Sequence, residues 1–237
     1  MALARTAPTE AIQGTRPRTE TPRRQNRWQR VRWSLYAPAY DLLIGLHRQR
    51  QRSLALLSLK PGEHVLIVGA GTGADLPHMP AAVHVLATDL TPAMLVRARR
   101  HARAGVEFAI MDGQHLKLPD ESFDAVVLHL VLTIVPDAPA CLREAARVLK
   151  SGGRIAVFDK FLGDGRRASW LRRLVDLATR AGGSSINCRL GDILAASGAR
   201  LVVEHDEPAL LGGLFRIIVL RKPGFSPHNP VGAGRST

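Results

Sequence analysis

Short apolar runs that recur along the chain, each set apart by a helical stretch, constrain its fold more than any other feature. Residues 65–68, 83–88, 106–111, 123–130 and 154–159 read as buried strands. Residues 91–104 and 139–149 read as helices between them. The first of these has Thr91 as its cap, Pro92 in its first turn and Gly105 just past its end. Further helices are expected over 169–180 and 189–197, and strands over 201–205 and 214–220 as a hairpin at the sheet edge. Strands separated by helices pair through crossovers. The fold class is therefore α/β, a doubly wound parallel sheet with one antiparallel edge strand.

The first strand runs into Val65-Leu66-Ile67-Val68-Gly69-Ala70-Gly71-Thr72-Gly73, a glycine turn expected to open a helix. Glycine is needed where backbone turns sharply and approaches a ligand with no side chain between. With Ala74 the stretch also satisfies the looser G-x-G-x-x-G/A fingerprint, so this loop alone leaves a nicotinamide cofactor open beside another nucleoside-containing one. Asp89 stands at the end of the second strand, twenty residues after Gly69. An acid there can accept hydrogen bonds from both ribose hydroxyls; a cap on the next helix is its other reading.

The length of 237 residues suits one larger α/β domain, and 46% hydrophobic residues exclude general disorder. No apolar run approaches the ~20 residues of a membrane helix. Cys141 and Cys188 are the only cysteines, which excludes a disulfide scaffold and a cysteine zinc cluster and suits a reducing compartment. The net charge of +13 is uneven: residues 1–60 hold twelve bases against three acids, a net of +9. Such a segment attracts polyanions, either nucleic acid or an anionic lipid surface. Residues 1–26, rich in Thr, Pro, Arg and Ala, read as a disordered arm. Residues 27–60 read as two helical pieces joined near Pro38, a membrane or substrate cap ahead of the domain at 61–222, and 223–237 as a disordered tail. Trp28 with interleaved Arg27, Arg30 and Arg32 has the composition of an interfacial helix; a stripe that merely covers the domain is the alternative.

Three further stretches decide between the cofactors. Phe108-Ala109-Ile110-Met111-Asp112-Gly113 ends a strand with an acid. Leu118-Pro119-Asp120-Glu121-Ser122-Phe123-Asp124 precedes the fourth strand, and Glu144-Ala145-Ala146-Arg147-Val148-Leu149-Lys150-Ser151-Gly152-Gly153 precedes the fifth. With the glycine turn, this series resembles class I S-adenosylmethionine (SAM) dependent methyltransferases over residues 34–221. The resemblance is to the group containing bacterial phosphatidylethanolamine N-methyltransferases and ubiquinone/menaquinone C-methyltransferases. It implies a Rossmann-like seven-stranded sheet of order 3-2-1-4-5-7-6 and SAM as cofactor.

The resemblance also implies roles. Gly69, Gly71 and Gly73 would cradle the amino-acid part of SAM, Asp89 would hold the ribose, Leu90 would lie on the adenine, and Ala70 and Met94 are further cofactor-binding residues. Asp112 would accept from the adenine amino group, with Met111 and Gly113 beside it, and His129 would line the cofactor near its sulfonium. The family usually has an acid two residues before the first glycine; this chain has Ile67. The segments Leu35-Tyr36-Ala37-Pro38-Ala39-Tyr40-Asp41, Val131-Leu132-Thr133-Ile134-Val135-Pro136-Asp137 and Phe158-Asp159-Lys160-Phe161 resemble the phospholipid enzymes. Tyr36, Tyr40, His129 and Asp159 are the candidates to orient or deprotonate the acceptor. No metal is expected. The expected activity is N-methylation of an amine-bearing phospholipid head group by a cytoplasmic protein, peripheral at an anionic membrane surface. A soluble methyltransferase of a quinone or other small molecule is the alternative, and a non-catalytic SAM binder a third reading. No nucleic-acid recognition motif accompanies the basic arm, so no specific nucleic acid is expected.

Overall fold

The computed structural model describes residues 46–161 and 188–224. Its strands are β1 (His64–Val68), β2 (His84–Asp89), β3 (Val106–Ile110), β4 (Phe123–His129), β5 (Leu149–Lys160), β6 (Val202–Leu210) and β7 (Phe215–Arg221). They form one sheet of order β3-β2-β1-β4-β5-β7-β6. The described helices are α1 (His47–Leu56), α2 (Pro92–Ala98), α3 (Ala138–Val148) and α4 (Leu190–Ser197). Strands β1 to β5 pair in parallel, whereas β7 runs antiparallel to both β5 and β6. The antiparallel strand thus lies one place in from the edge, with β6 outermost. Only a short turn over Leu211–Gly213 joins β6 to β7, and so short a link permits only a hairpin.

The side-chain period of two divides the sheet into two buried faces. Leu66, Val68, Val126, Leu128, Ile155 and Val157 face α3 and α4, where Leu142, Val148 and Ile193 meet them. Val65, Ile67, Ala87, Val127 and Ala156 face the other way, where Leu54 and Leu57 cover them. α3 begins where the Asp137 side chain accepts from the Ala140 N–H at 2.9 Å, and Pro139 sits in its first turn. Its buried residues Ala138, Cys141, Leu142, Ala145 and Val148 repeat at helical spacing.

Three local expectations change. The glycine turn opens no α-helix; only a 3₁₀ turn over Leu76–His78 follows, because Pro77 and Pro80 deny a helix its N–H donors. The helix expected over 91–104 is α-helical to Ala98 and tightens to 3₁₀ over Arg99–His101, after which Ala102 is extended. Ser151-Gly152-Gly153, expected to precede the fifth strand, lies inside β5 at a register shift, with Gly152 at φ +80°. That is a bulge, which glycine accommodates without strain. The pieces expected over 1–45, 169–180 and 225–237 lie outside the described residues. None of the described helices is long and apolar enough to cross a membrane.

Candidate active site

A cleft of about 270 Å³ opens at the carboxyl ends of β1, β2 and β4. The sheet winds in opposite directions from β1 and from β4, and such a switch point leaves a crevice that no crossover covers. The turn after β1 contributes Gly69, Ala70 and Gly71 to its wall. The end of β2 and the start of α2 contribute Asp89, Leu90 and Met94, and the segment after β3 contributes Met111, Asp112 and Gly113. His129 closes the floor from β4. Ten of the eleven residues expected to bind the cofactor therefore line one cavity.

Gly73 is not on that wall. A Cβ at Gly73 would lie 3.0 Å from the Ala98 backbone, so its bare backbone is what lets α2 pack against the turn. At Gly71 the reverse holds: φ is +56° and an added Cβ meets nothing within 4 Å. That position demands glycine for its backbone and leaves open space beside it.

Asp89 ties two loops together. One carboxylate oxygen accepts from the Gly71 N–H at 2.9 Å and the other from the Thr91 N–H at 2.7 Å. The Thr91 side chain makes no cap on α2, so the cap expected of it is not formed, and Asp89 instead fixes the Thr91 backbone. Burial raises the Asp89 pKa above the usual carboxylate value, and the Thr91 and Gly71 N–H donors, with the Thr91 side chain, offset only part of that. Each carboxylate oxygen has two lone pairs, so acceptor capacity remains for hydroxyls in the cleft. Asp112 accepts from the Gln114 N–H and from its side-chain amide, which fixes the carboxylate at the cavity wall. The amide oxygen of Gln114 in turn accepts from the Asp137 N–H at the start of α3.

The most connected part of the site was not legible in the sequence. His129 Nδ1 lies 2.7 Å from Asp75, and its Nε2 lies 2.9 Å from the Ser53 hydroxyl. Arg50 Nη1 donates to the other Asp75 oxygen at 2.8 Å. Arg50 and Ser53 belong to α1, Asp75 to the turn after β1, and His129 to β4. All four are buried. Burial alone would raise the Asp75 carboxyl, but His129 and Arg50 overrule it and hold Asp75 well below the usual range. A Ser-His-Asp arrangement suggests nucleophilic catalysis. Ser53 is fully buried and outside the cleft wall, so its oxygen has no route to a substrate. The network instead fastens α1 to the cleft, where His47 and Arg50 form part of the lining. Ile67, where an acid was missing, packs in the apolar layer beneath α1, and the buried carboxylate on this side of the sheet is Asp75.

Asp159 is fully buried and does not line the cleft. Its oxygens accept from the Thr133 hydroxyl at 2.6 Å and from the Thr133 N–H at 3.1 Å. It therefore holds the loop after β4, whose Val131, Ile134 and Val135 do line the cleft. Burial raises its pKa, and the donors from Thr133 and Lys160 offset part of that. Tyr36 and Tyr40 lie outside the described residues. The Glu144…Arg147 motif also finds its reason. Glu144 accepts from the Leu116 N–H, and Arg147 donates to the carbonyls of Leu116 and Leu118 and to Asp120. Together they clamp the 116–120 loop onto α3.

Known proteins share this fold. The fold matches a chain of a Haloferax volcanii complex of a methyltransferase with its activator, with a TM-score of 0.67 and 16% identity over 81% of this chain and 97% of that one. It also matches a SAM-dependent methyltransferase of Mesorhizobium loti, with a TM-score of 0.57 and 23% identity over 72% of this chain and 95% of that one. Residues 66–157 match the methyltransferase domain family. A phosphatidylethanolamine N-methyltransferase of Cereibacter sphaeroides is 31% identical over 193 residues, covering 79% of this chain and 92% of that protein. The chain belongs to the SAM-dependent methyltransferases. A 2-phytyl-1,4-naphthoquinone methyltransferase of Synechococcus elongatus is 38% identical to this methyltransferase over 139 residues, but only 52% of the chain and 59% of that protein take part.

The cavity of this methyltransferase fits SAM by its own chemistry. Two carboxylates, Asp89 and Asp112, stand on the wall formed by the ends of β2 and β3, where a nucleoside offers hydroxyl and amino donors. Leu90, Met94 and Met111 supply apolar walls, and the open space at Gly71 gives close access to backbone.

Proposed function

We propose that this methyltransferase N-methylates an amine-bearing phospholipid head group at a membrane surface. The observation that carries this reading is the extent of the match to the phosphatidylethanolamine enzyme, 92% of that protein's length, against 59% for the quinone enzyme. Similarity reaching beyond the cofactor half of the domain bears on the acceptor; similarity confined to it does not. The basic segment at residues 1–60 suits an anionic surface.

In this reading Gly69, Ala70 and Gly71 approach the amino-acid part of SAM, Asp89 accepts from the ribose and Asp112 from the adenine amino group. SAM supplies a methyl group already activated by its sulfonium. The protein's part is then proximity and alignment, worth up to ~7–11 kcal/mol. An amine with a free lone pair needs no strong base. Both ring nitrogens of His129 are engaged by Ser53 and Asp75, which makes it a rigid wall of the cleft. Asp159 acts through Thr133 as a positioning residue for the loop after β4. Tyr36 and Tyr40 are proposed to orient the amine.

The higher local identity to the quinone enzyme supports a second reading, methylation of a quinone or similar small molecule. One experiment separates them. The full chain is incubated with methyl-labelled SAM and, in parallel, phosphatidylethanolamine vesicles or a demethylated naphthoquinone. Label in a mono- or dimethylated phospholipid supports the first reading; label only in the quinone refutes it.

A further inference from the structure

The excess charge is not confined to the N-terminal arm. Residues 90–106 contain Arg97, Arg99, Arg100, His101 and Arg103 and no acid. Several other arginines of the domain find carboxylates: Arg50 with Asp75, Arg147 with Glu144, Arg154 with Glu63, Arg216 with Asp206 and Arg221 with Glu204. Among the described residues Arg97, Arg99 and Arg103 pair with none. Arg99 lies over the Phe108 ring, 5.2 Å from its centroid, and Arg103 donates to the carbonyls of Met79, Pro80 and Ala81. The charges of Arg99 and Arg103 are thus held in place without a carboxylate to neutralise them.

The same face is apolar at its other end. Pro92, Ala93 and Val96 are exposed on α2, Val96 to 70%, and Pro92 and Val96 precede Arg99 and Arg103 at helical spacing. Exposed apolar residues followed by unneutralised arginines form an interfacial surface. It borders the site, because Thr91, Met94, Arg100 and His101 of this segment line the cleft. A polynucleotide would use the charge but has no use for Val96. A single strand would also want exposed rings for stacking, and none of the described phenylalanines is exposed.

We infer that the outer face of α2 and the 3₁₀ turn after it form a second docking surface for an anionic lipid bilayer, on the rim of the cleft and independent of the arm. This deepens the proposed function and rests on its lipid reading. The surface would set the cleft mouth against the head groups, Val96 entering the interface and the arginines meeting phosphates.

The test compares wild type with a full-chain Val96→Asp/Arg97→Glu variant in co-sedimentation with phosphatidylglycerol-rich vesicles, pure phosphatidylcholine vesicles and duplex DNA. Neither side chain lines the cleft, so thermal stability and methylation of detergent-dispersed acceptor should hold. The variant changes the local charge by three units, and at the usual worth of a basic residue near an anionic surface its vesicle affinity should fall about 100-fold. Val96→Leu should bind as wild type. Equal vesicle binding by the variant overturns the inference, as does wild-type binding to DNA but to no vesicle. If the variant binds normally while phosphatidylethanolamine is still methylated, only this surface is refuted. If vesicle binding needs this surface but no phospholipid is methylated, the proposed function fails and the surface stands.

Discussion

Asp75→Ala probes the site through a residue that touches neither cofactor nor acceptor. The Asp75 carboxylate lies 2.8 Å from Arg50 and 2.7 Å from His129, and the three side chains are at most 9% exposed. Truncation leaves the Arg50 guanidinium and the His129 ring buried without this carboxylate. Breaking a buried pair from one side costs about 3–5 kcal/mol. At about 2–4 °C per kcal/mol for a domain of this size, the melting temperature should fall by about 6–20 °C. The pH dependence follows from the lowered pKa of Asp75. A carboxyl whose folded pKa lies below its unfolded value stabilises fully above the unfolded pKa. That stabilisation is lost as pH falls through the ordinary carboxylate range toward the folded pKa. Urea unfolding at pH 7 should therefore show the full difference between wild type and variant, and at pH 3 a smaller one. Arg50→Met/Asp75→Leu removes both charges and should be less destabilised than the sum of the single changes. A loss below about 1 kcal/mol for Asp75→Ala, the worth of a surface pair, would refute the network as the fastening of α1. So would an unchanged gap at low pH.

Other predictions concern the cleft and its surroundings. Gly71→Ala places a methyl in open space at φ +56°, so it should cost only about 1–3 kcal/mol of stability while weakening SAM binding at least tenfold by calorimetry. Because burial raises the Asp89 pKa, SAM binding should weaken on acidification at a higher pH than an ordinary carboxylate would give, and Asp89→Asn should remove that acid limb. The Cys141 thiol, fully buried near Asp112, Asp137 and Glu144, is pushed up to about 12, so a thiol reagent at pH 8 should modify Cys188 and spare Cys141 until the protein unfolds. Arg147→Ala should release the 116–120 loop, seen as faster amide exchange at Leu116 and Leu118 with α3 still protected.

Local chemistry made much of this protein legible. The apolar runs became β1 to β5 because each is long enough to cross the sheet and is bounded by residues that break strands. Asp89, Met111 and Asp112 fell into the cleft because a parallel sheet puts all its carboxyl ends on one side, whatever the loops contain. The two prolines after the glycine turn, Pro77 and Pro80, carried a readable signal against the expected helix. Asp75, Ser53 and Arg50 carried none. They stand 54, 76 and 79 positions from His129 in the chain, and a hydrogen bond across such a gap leaves no periodicity behind.

The sequence by itself determined which segments are strands, that they must be wound with helices between them, and that their ends carry the acids a nucleoside cofactor needs. Only the tertiary structure decided what those side chains do there. It turned Gly73 toward α2 rather than the cleft, spent Asp159 on the loop after β4, and engaged both nitrogens of His129. It also left Val96 exposed on α2, the helix whose Met94 lines the cleft. The division has one cause. Backbone pattern follows from neighbours in the chain, whereas the partner of a buried polar group is whatever the fold brings within 3 Å.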